Sequence, residues 1–210
     1  MRGHRQEKYV LYKKMRYIIS RYNHNMTPIL EYAKNYVLYD RSEEPLPEAI
    51  KVKNIGSDIY DKFTFIIDNY DNLPDVAVYT KANLFKYITK EEFDNIKNNK
   101  TFTPLLTQHH KVYEPVCRYN NGMYEEINNY WYLDVHKPKS KESAEELKDL
   151  LGMRNREYNA FAPGSSYILP KENILQHSKD FYIKLRSFLD WAVYPGEAQM
   201  IERSLYYLWQ

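Results

Sequence analysis

The chain has one cysteine, Cys117, in 210 residues. A single thiol excludes an internal disulfide and fits a reducing compartment. No apolar run approaches the roughly 20 residues that a bilayer-spanning helix needs. The charged N-terminus also holds no signal-peptide core. Together these point to a cytoplasmic protein without a membrane span. An excess of charge of one sign is missing too: 30 basic and 28 acidic side chains leave a formal net charge of +2. Nucleic-acid binders usually concentrate basic residues on one face. Only the stretch with Arg2, Arg5, Lys8, Lys13, Lys14 and Arg16 offers such a cluster, so no nucleic-acid partner is expected. Repeats and low-complexity segments are absent.

What remains is ordinary for a globular chain. Hydrophobic residues make up 43%, enough to argue against disorder, and the length allows a sizeable core. The 22 tyrosines stand out; an apolar ring with a polar tip suits both sugar-stacking clefts and half-buried packing.

Residues 54–83 organise the rest. Ile59, Phe63, Ile66, Ile67 and Tyr70 recur at helical spacing and make one apolar stripe. Ser57 is placed to cap this helix, with Asp58 and Asp61 in its first turn, where the helix dipole favours negative charge. Asn72-Leu73-Pro74 stops it. Val76 to Tyr79 then reads as a buried parallel strand that ends in Thr80-Lys81-Ala82-Asn83.

Upstream, Tyr17-Ile18-Ile19 reads as a strand breaking into Ser20-Arg21-Tyr22. Met26 to Tyr36 reads as a helix capped by Thr27 with Pro28 at its first position. Tyr36 to Tyr39 is a second strand ending at Asp40-Arg41-Ser42, and Ile50 to Lys53 a third that feeds Asn54-Ile55-Gly56. This alternation predicts right-handed crossovers and a mostly parallel sheet. Its polar strand ends (Ser20-Arg21, Asp40-Arg41, Asn54-Gly56-Asp58 and Thr80-Lys81-Asn83) would converge at one edge, where α/β sheets bind ligands.

Downstream, Lys90 to Asn98 reads as a surface helix. Thr101 to Pro115 reads as a loop with His109 and His110, which would point apart and make no site. Tyr124 to Trp131 is an aromatic segment over or under the cleft. Tyr132 to His136 reads as a strand, and Ser143 to Leu151 as a helix with a Ser143–Glu146 capping box. Phe161 to Pro170 is a glycine turn into a strand. Two helices close the chain, Lys171 to Ala192, continuous or interrupted, and Gly196 to Trp209, the second burying Met200, Ile201, Leu205 and Leu208. Leu205 to Gln210 still reads as a helix in progress, as in the N-terminal part of a longer protein.

The run Asn54-x-Gly56-x-Asp58, helix, Tyr70-Asp71, strand, Thr80-Lys81 resembles rhamnan-synthesis F-type glycosyltransferases. Continued through Tyr70-Asp71-Asn72-Leu73-Pro74-Asp75, it is similar to an uncharacterised fungal family with glycosyltransferase-like sequences. The whole chain resembles the N-terminal glycosyltransferase domain of a multidomain chlorella-virus protein. These resemblances imply one α/β domain of the GT-A (Rossmann-like) kind, its mostly parallel central sheet flanked by helices. Residues 1–83 would form the nucleotide-binding half and residues 84–210 the acceptor side. They further imply a UDP-sugar donor, with rhamnose or glucose as the sugar, and a glycan acceptor.

On this footing Lys81, helped by the Thr80 hydroxyl, faces the donor phosphates, or else merely marks the strand's exit into solvent. Asp58 holds donor hydroxyls or orders the loop, or is a first-turn helix acid. Gly56 supplies a positive φ or close backbone approach. Arg21 and Asp40 bind pyrophosphate and ribose or base, or pair with each other. Ser20, Tyr22, Asn54 and Asn83 complete the expected donor site. Glu202, beside Arg203, or Glu197 would serve as catalytic base. Trp191, Trp131 and Tyr167 either stack on a sugar or pack in the core. GT-A enzymes commonly hold Mn²⁺ or Mg²⁺ through Asp-x-Asp, but the matching strand end has no acid. Asp134-x-His136, sharing a face in a strand, would supply ligands instead or be ordinary strand-end polars. Two other classes stay open: a sugar- or nucleotide-binding module without turnover, and a nucleic-acid-associated domain.

Overall fold

The structure, a computed structural model, describes residues 15–106, 116–120 and 123–210. The basic residues before Met15 and the pair His109-His110 lie outside the described residues. The strands are β1 (Met15–Arg21), β2 (Tyr36–Asp40), β3 (Ile50–Lys51), β4 (Val76–Lys81), β5 (Thr103–Pro104), β6 (Cys117–Asn120), β7 (Met123–Ile127), β8 (Tyr158–Phe161) and β9 (Tyr167–Pro170). The α-helices are α1 (Thr27–Leu30), α2 (Ser57–Asp68), α3 (Lys90–Ile96), α4 (Lys141–Leu150), α5 (Lys171–Ile174), α6 (Lys179–Ser187), α7 (Gly196–Glu202) and α8 (Leu205–Trp209).

The expected α/β class holds, but the main sheet is mixed rather than mostly parallel. Its order is β3-β2-β1-β4-β9-β5. The first four strands are parallel, whereas β9 runs antiparallel to both β4 and β5. The reason lies in the route of the chain. Parallel neighbours need a crossover connection, but β9 is entered directly from β8, with Tyr167 opposite Tyr79 near the carboxyl end of β4.

Strand alternation sends side chains to two cores, one on each face. Ile18, Ala77, Tyr79, Tyr167 and Leu169 meet α2 and the C-terminal helices. Tyr17, Ile19, Val76, Val78 and Ile168 meet Met26, Ile29, Leu84, Phe93 and Leu105. The helical stripe of α2 packs as read: Ile59, Phe63, Ile66 and Ile67 are buried. At the chain's end Trp209 is fully buried, stacks on Tyr79 at 5.9 Å between centroids, and donates to the Tyr182 hydroxyl at 3.2 Å.

Several local readings change. The helix expected over Met26 to Tyr36 is only α1, preceded by Met26 rather than capped by Thr27. Asn35 is already tied to β1 rather than to a helix: its side chain donates to the Met15 carbonyl and its own carbonyl accepts from Tyr17. Helix α2 begins after Gly56 with no side-chain cap, and the Ser57 hydroxyl goes instead to Asp58. Helix α4 starts earlier than expected because Ser140, not Ser143, accepts the cap bond, from the Ser143 amide. Tyr132 to His136 is not a strand. A 3₁₀ turn spans Trp131–Asp134, opened by Tyr130 at φ 57°, and Val135 is 72% exposed. The two long C-terminal helices divide into α5 to α8.

A three-stranded antiparallel sheet, β6-β7-β8, was not expected. It is tied to the end of α7 by Arg203. This guanidinium bonds both oxygens of the fully buried Glu126 at 2.5 and 3.0 Å and lies 3.7 Å from the Tyr132 ring centroid.

Candidate functional site

Strand β1 has β2 on one side and β4 on the other, so the strand order reverses at the carboxyl ends of β1 and β4. Such a switch point leaves a crevice, since the connections depart to opposite faces. A cavity of about 180 Å³ opens there. Its walls come from the end of β1 (Ser20, Arg21, Tyr22, His24), the end of β2 (Arg41), the turn before α2 (Asn54, Ser57, Asp58), the end of β4 (Lys81, Asn83), Tyr87 and Tyr194.

The turn before α2 is built for this position. Gly56 and Ser57 both have positive φ, 66° and 56°. Their amides donate to the carbonyls of Ala192 and Val193 at 2.7 and 3.0 Å. A Cβ on Gly56 would stand 2.8 Å from the Leu189 carbonyl oxygen, so the close approach requires glycine. These two bonds pin the segment carrying Tyr194 beside the helix start.

Charge is layered beneath the cavity. Asp58 bonds Lys62, one turn along α2; its other oxygen accepts from Ser57 at 3.0 Å and lies 3.3 Å from Lys81. Burial pushes the Asp58 carboxyl up, but the ammonium groups of Lys62 and Lys81 outweigh it and hold the carboxyl well below the usual range. Burial would likewise lower Lys81, yet Asp58 and Glu202 hold its pKa above the ordinary value. Asp61, fully buried, takes a two-pronged bond from Arg41 at 2.6 and 3.0 Å. Among the cations lining the cavity, Lys81 is the most open, at 24% exposure against 13% for Arg21 and 5% for Arg41. Lys81 also stands 5.6 Å from the Tyr87 ring centroid, and Gly164, at φ 86°, lets that ring approach the turn before β9.

A family model for proteins of unknown function (DUF3431) matches residues 13–210. The chain belongs to the DUF3431 family. Comparison with curated proteins and with solved structures gave no match.

In this DUF3431 member the cavity gathers Ser20, Arg21, Tyr22, Asn54, Asp58, Lys81 and Asn83 of the expected donor site. Three expected residues do not line it. Asp40 is fully buried; its carboxylate accepts from Arg21 at 2.5 Å and from Ser42 and the Leu46 amide, so it orients Arg21. Thr80 is buried, with its hydroxyl on the Lys81 carbonyl. Gly56 shapes the turn. Glu202 is half-buried outside the lining, accepts from Ser165 Oγ at 2.7 Å, and acts electrostatically on Lys81. Arg203 points away into its Glu126 pair, as adjacent helix positions require. Glu197 is fully buried, accepting from the Lys139 amide ahead of α4 and from the Ser143 hydroxyl in its first turn. Tyr167 is a core residue, while Trp191 is 38% exposed.

Asp134 and His136 do not fit a divalent cation. The 3₁₀ turn removes the shared strand face on which their pairing rested. Asp134 is exposed, neither residue lines the cavity, and no group of three potential ligands occurs among the described residues.

Sequence reading placed Arg41 among the converging strand ends without giving it a role, and missed His24, Ser57, Tyr87 and Tyr194 as cavity residues. Arg41 and His24 follow strand ends and carried the same signal as Lys81. Tyr194 had none, because it reaches the site only through the main-chain bonds to Gly56 and Ser57.

Proposed function

We propose that the protein is a UDP-sugar-dependent glycosyltransferase of GT-A-like organisation, moving a hexose or deoxyhexose, glucose or rhamnose, onto a glycan hydroxyl. The observation that carries this reading is the cation-rich crevice at the β1/β4 switch point, which holds Arg21, Arg41 and Lys81 against one carboxylate. A nucleoside diphosphate matches it in charge. Lys81 is the group to meet the diphosphate and stabilise the UDP that leaves, since a preorganised cation acts most where negative charge develops. Asp40 orients Arg21 for the same task. Tyr22 and Tyr194, 47% and 61% exposed at the cavity, offer rings to a base or sugar. Asp58, held ionised by two lysines, is a weak base and serves to place Lys81. Glu202 is the carboxylate left for base or acceptor orientation.

One observation favours a nucleotide-sugar-binding module without turnover. Asp58, the only acid lining the cavity among the described residues, is already paired. The test is UDP release from UDP-glucose and UDP-rhamnose, with and without a glycan acceptor. A transferase releases UDP, and Lys81→Met slows release by about 100-fold. Donor binding with no release from either sugar would leave the binding module.

A further inference from the structure

Among the described residues the implied divalent cation has no ligand set in the cavity, and the positive charge there has another source. A hard cation on a diphosphate is held by phosphate oxygens and water together with at least one or two free protein carboxylates. The only carboxylate lining the cavity among the described residues is Asp58, with one oxygen on Lys62 and the other shared by Ser57 and Lys81. A cation at this carboxylate would face two ammonium groups. The neighbouring pairs Arg41–Asp61 and Arg21–Asp40 are each neutral. The Lys62–Asp58–Lys81 triad is not: two ammonium groups share one carboxylate.

Lys62 is only 1% exposed and lines no part of the cavity, so it does not serve as a direct ligand. Its effect passes through Asp58. By satisfying that carboxylate from below, it leaves Lys81 with charge to spend on a ligand. Without Lys62, Asp58 would belong to Lys81 alone. Glu202 also acts on Lys81, from the end of α7, which makes the surplus from Lys62 matter more.

Resting on the donor-site reading above, we infer that the cavity binds a diphosphate without a divalent cation, and that buried Lys62 is the positioning residue that keeps Lys81 available for it. The test titrates inorganic pyrophosphate and UDP into the full chain by calorimetry, in EDTA and then with Mn²⁺. Both bind in EDTA no more weakly than with Mn²⁺. Lys62→Met weakens both by about tenfold, and Asp58→Asn/Lys62→Met recovers most of that loss, a coupling that separate structural defects would not give.

Binding that appears only with Mn²⁺ overturns the inference and leaves the donor reading standing. Pyrophosphate binding in EDTA without preference for UDP supports the inference and removes the donor reading; if neither ligand binds, both fall. Wild-type affinity in Lys62→Met also overturns it. Should Lys62→Met fail to fold, the wild-type titration in EDTA and the double variant, which buries no unpaired charge, still decide the matter.

Discussion

Gly56 and Asp58 show how much of the site rests on single residues. Gly56 has a positive φ and no room for a methyl group against Leu189. Gly56→Ala is expected to cost about 2 kcal/mol or more, read as a lower urea midpoint with an unchanged slope. Asp58 is buried between two lysines, and removing one partner of a buried ion pair costs about 3 kcal/mol. Asp58→Asn should lose about that much at pH 7. The pH dependence follows from the depressed carboxyl. The pair contributes fully above the unfolded carboxylate value of about 4 and is lost as pH falls through the lower folded value. The stability gap between wild type and Asp58→Asn should therefore narrow as pH drops below about 4; a gap that stays constant down to acid unfolding would contradict this account. Lys81 and Arg21 were legible in the sequence because each follows an apolar strand. Lys62 was not, since an Asp–Lys pair four apart reads as a solvated helix pair until α2 is seen to bury that face.

At the scale of elements, the decisive contacts join segments far apart in the chain. The β7 sheet is fastened to the end of α7 by Arg203 and Glu126, both buried. Arg203→Met should destabilise the fold by about 3 kcal/mol while leaving nucleotide affinity unchanged, as unfolding curves and titrations would show in parallel. A loss of affinity at full stability would place Arg203 in the site after all. The sequence signal for this sheet was present: Asn121-Gly122 between Tyr119 and Tyr124 is the dipeptide that favours two-residue hairpins, and β6 pairs antiparallel with β7. The 3₁₀ turn at Trp131–Asp134 was not legible, because a short aromatic run reads equally well as a strand. What decides it is Tyr132 packing under Arg203, a contact 71 residues away. The same holds for the tie between Gly56-Ser57 and residues 192–193.

For the whole molecule, strand–helix alternation in residues 15–83 foretold four parallel strands and their polar ends. It could not foretell β9, whose direction depends on the chain arriving from a second sheet. The outcome is a mixed sheet covered on both faces, with one crevice where its order reverses. No described helix is long and apolar enough to cross a membrane. We propose this crevice as a nucleotide-sugar site. Its most direct test is thermal stabilisation by UDP, UDP-glucose and UDP-rhamnose, set against ADP and GDP. A ligand at about 100 times its Kd adds about 2.7 kcal/mol to the folded state, enough to raise Tm by several degrees at this chain length. Selective stabilisation by the uridine ligands is expected, reduced in Lys81→Met. No shift from any nucleotide at millimolar concentration would contradict it.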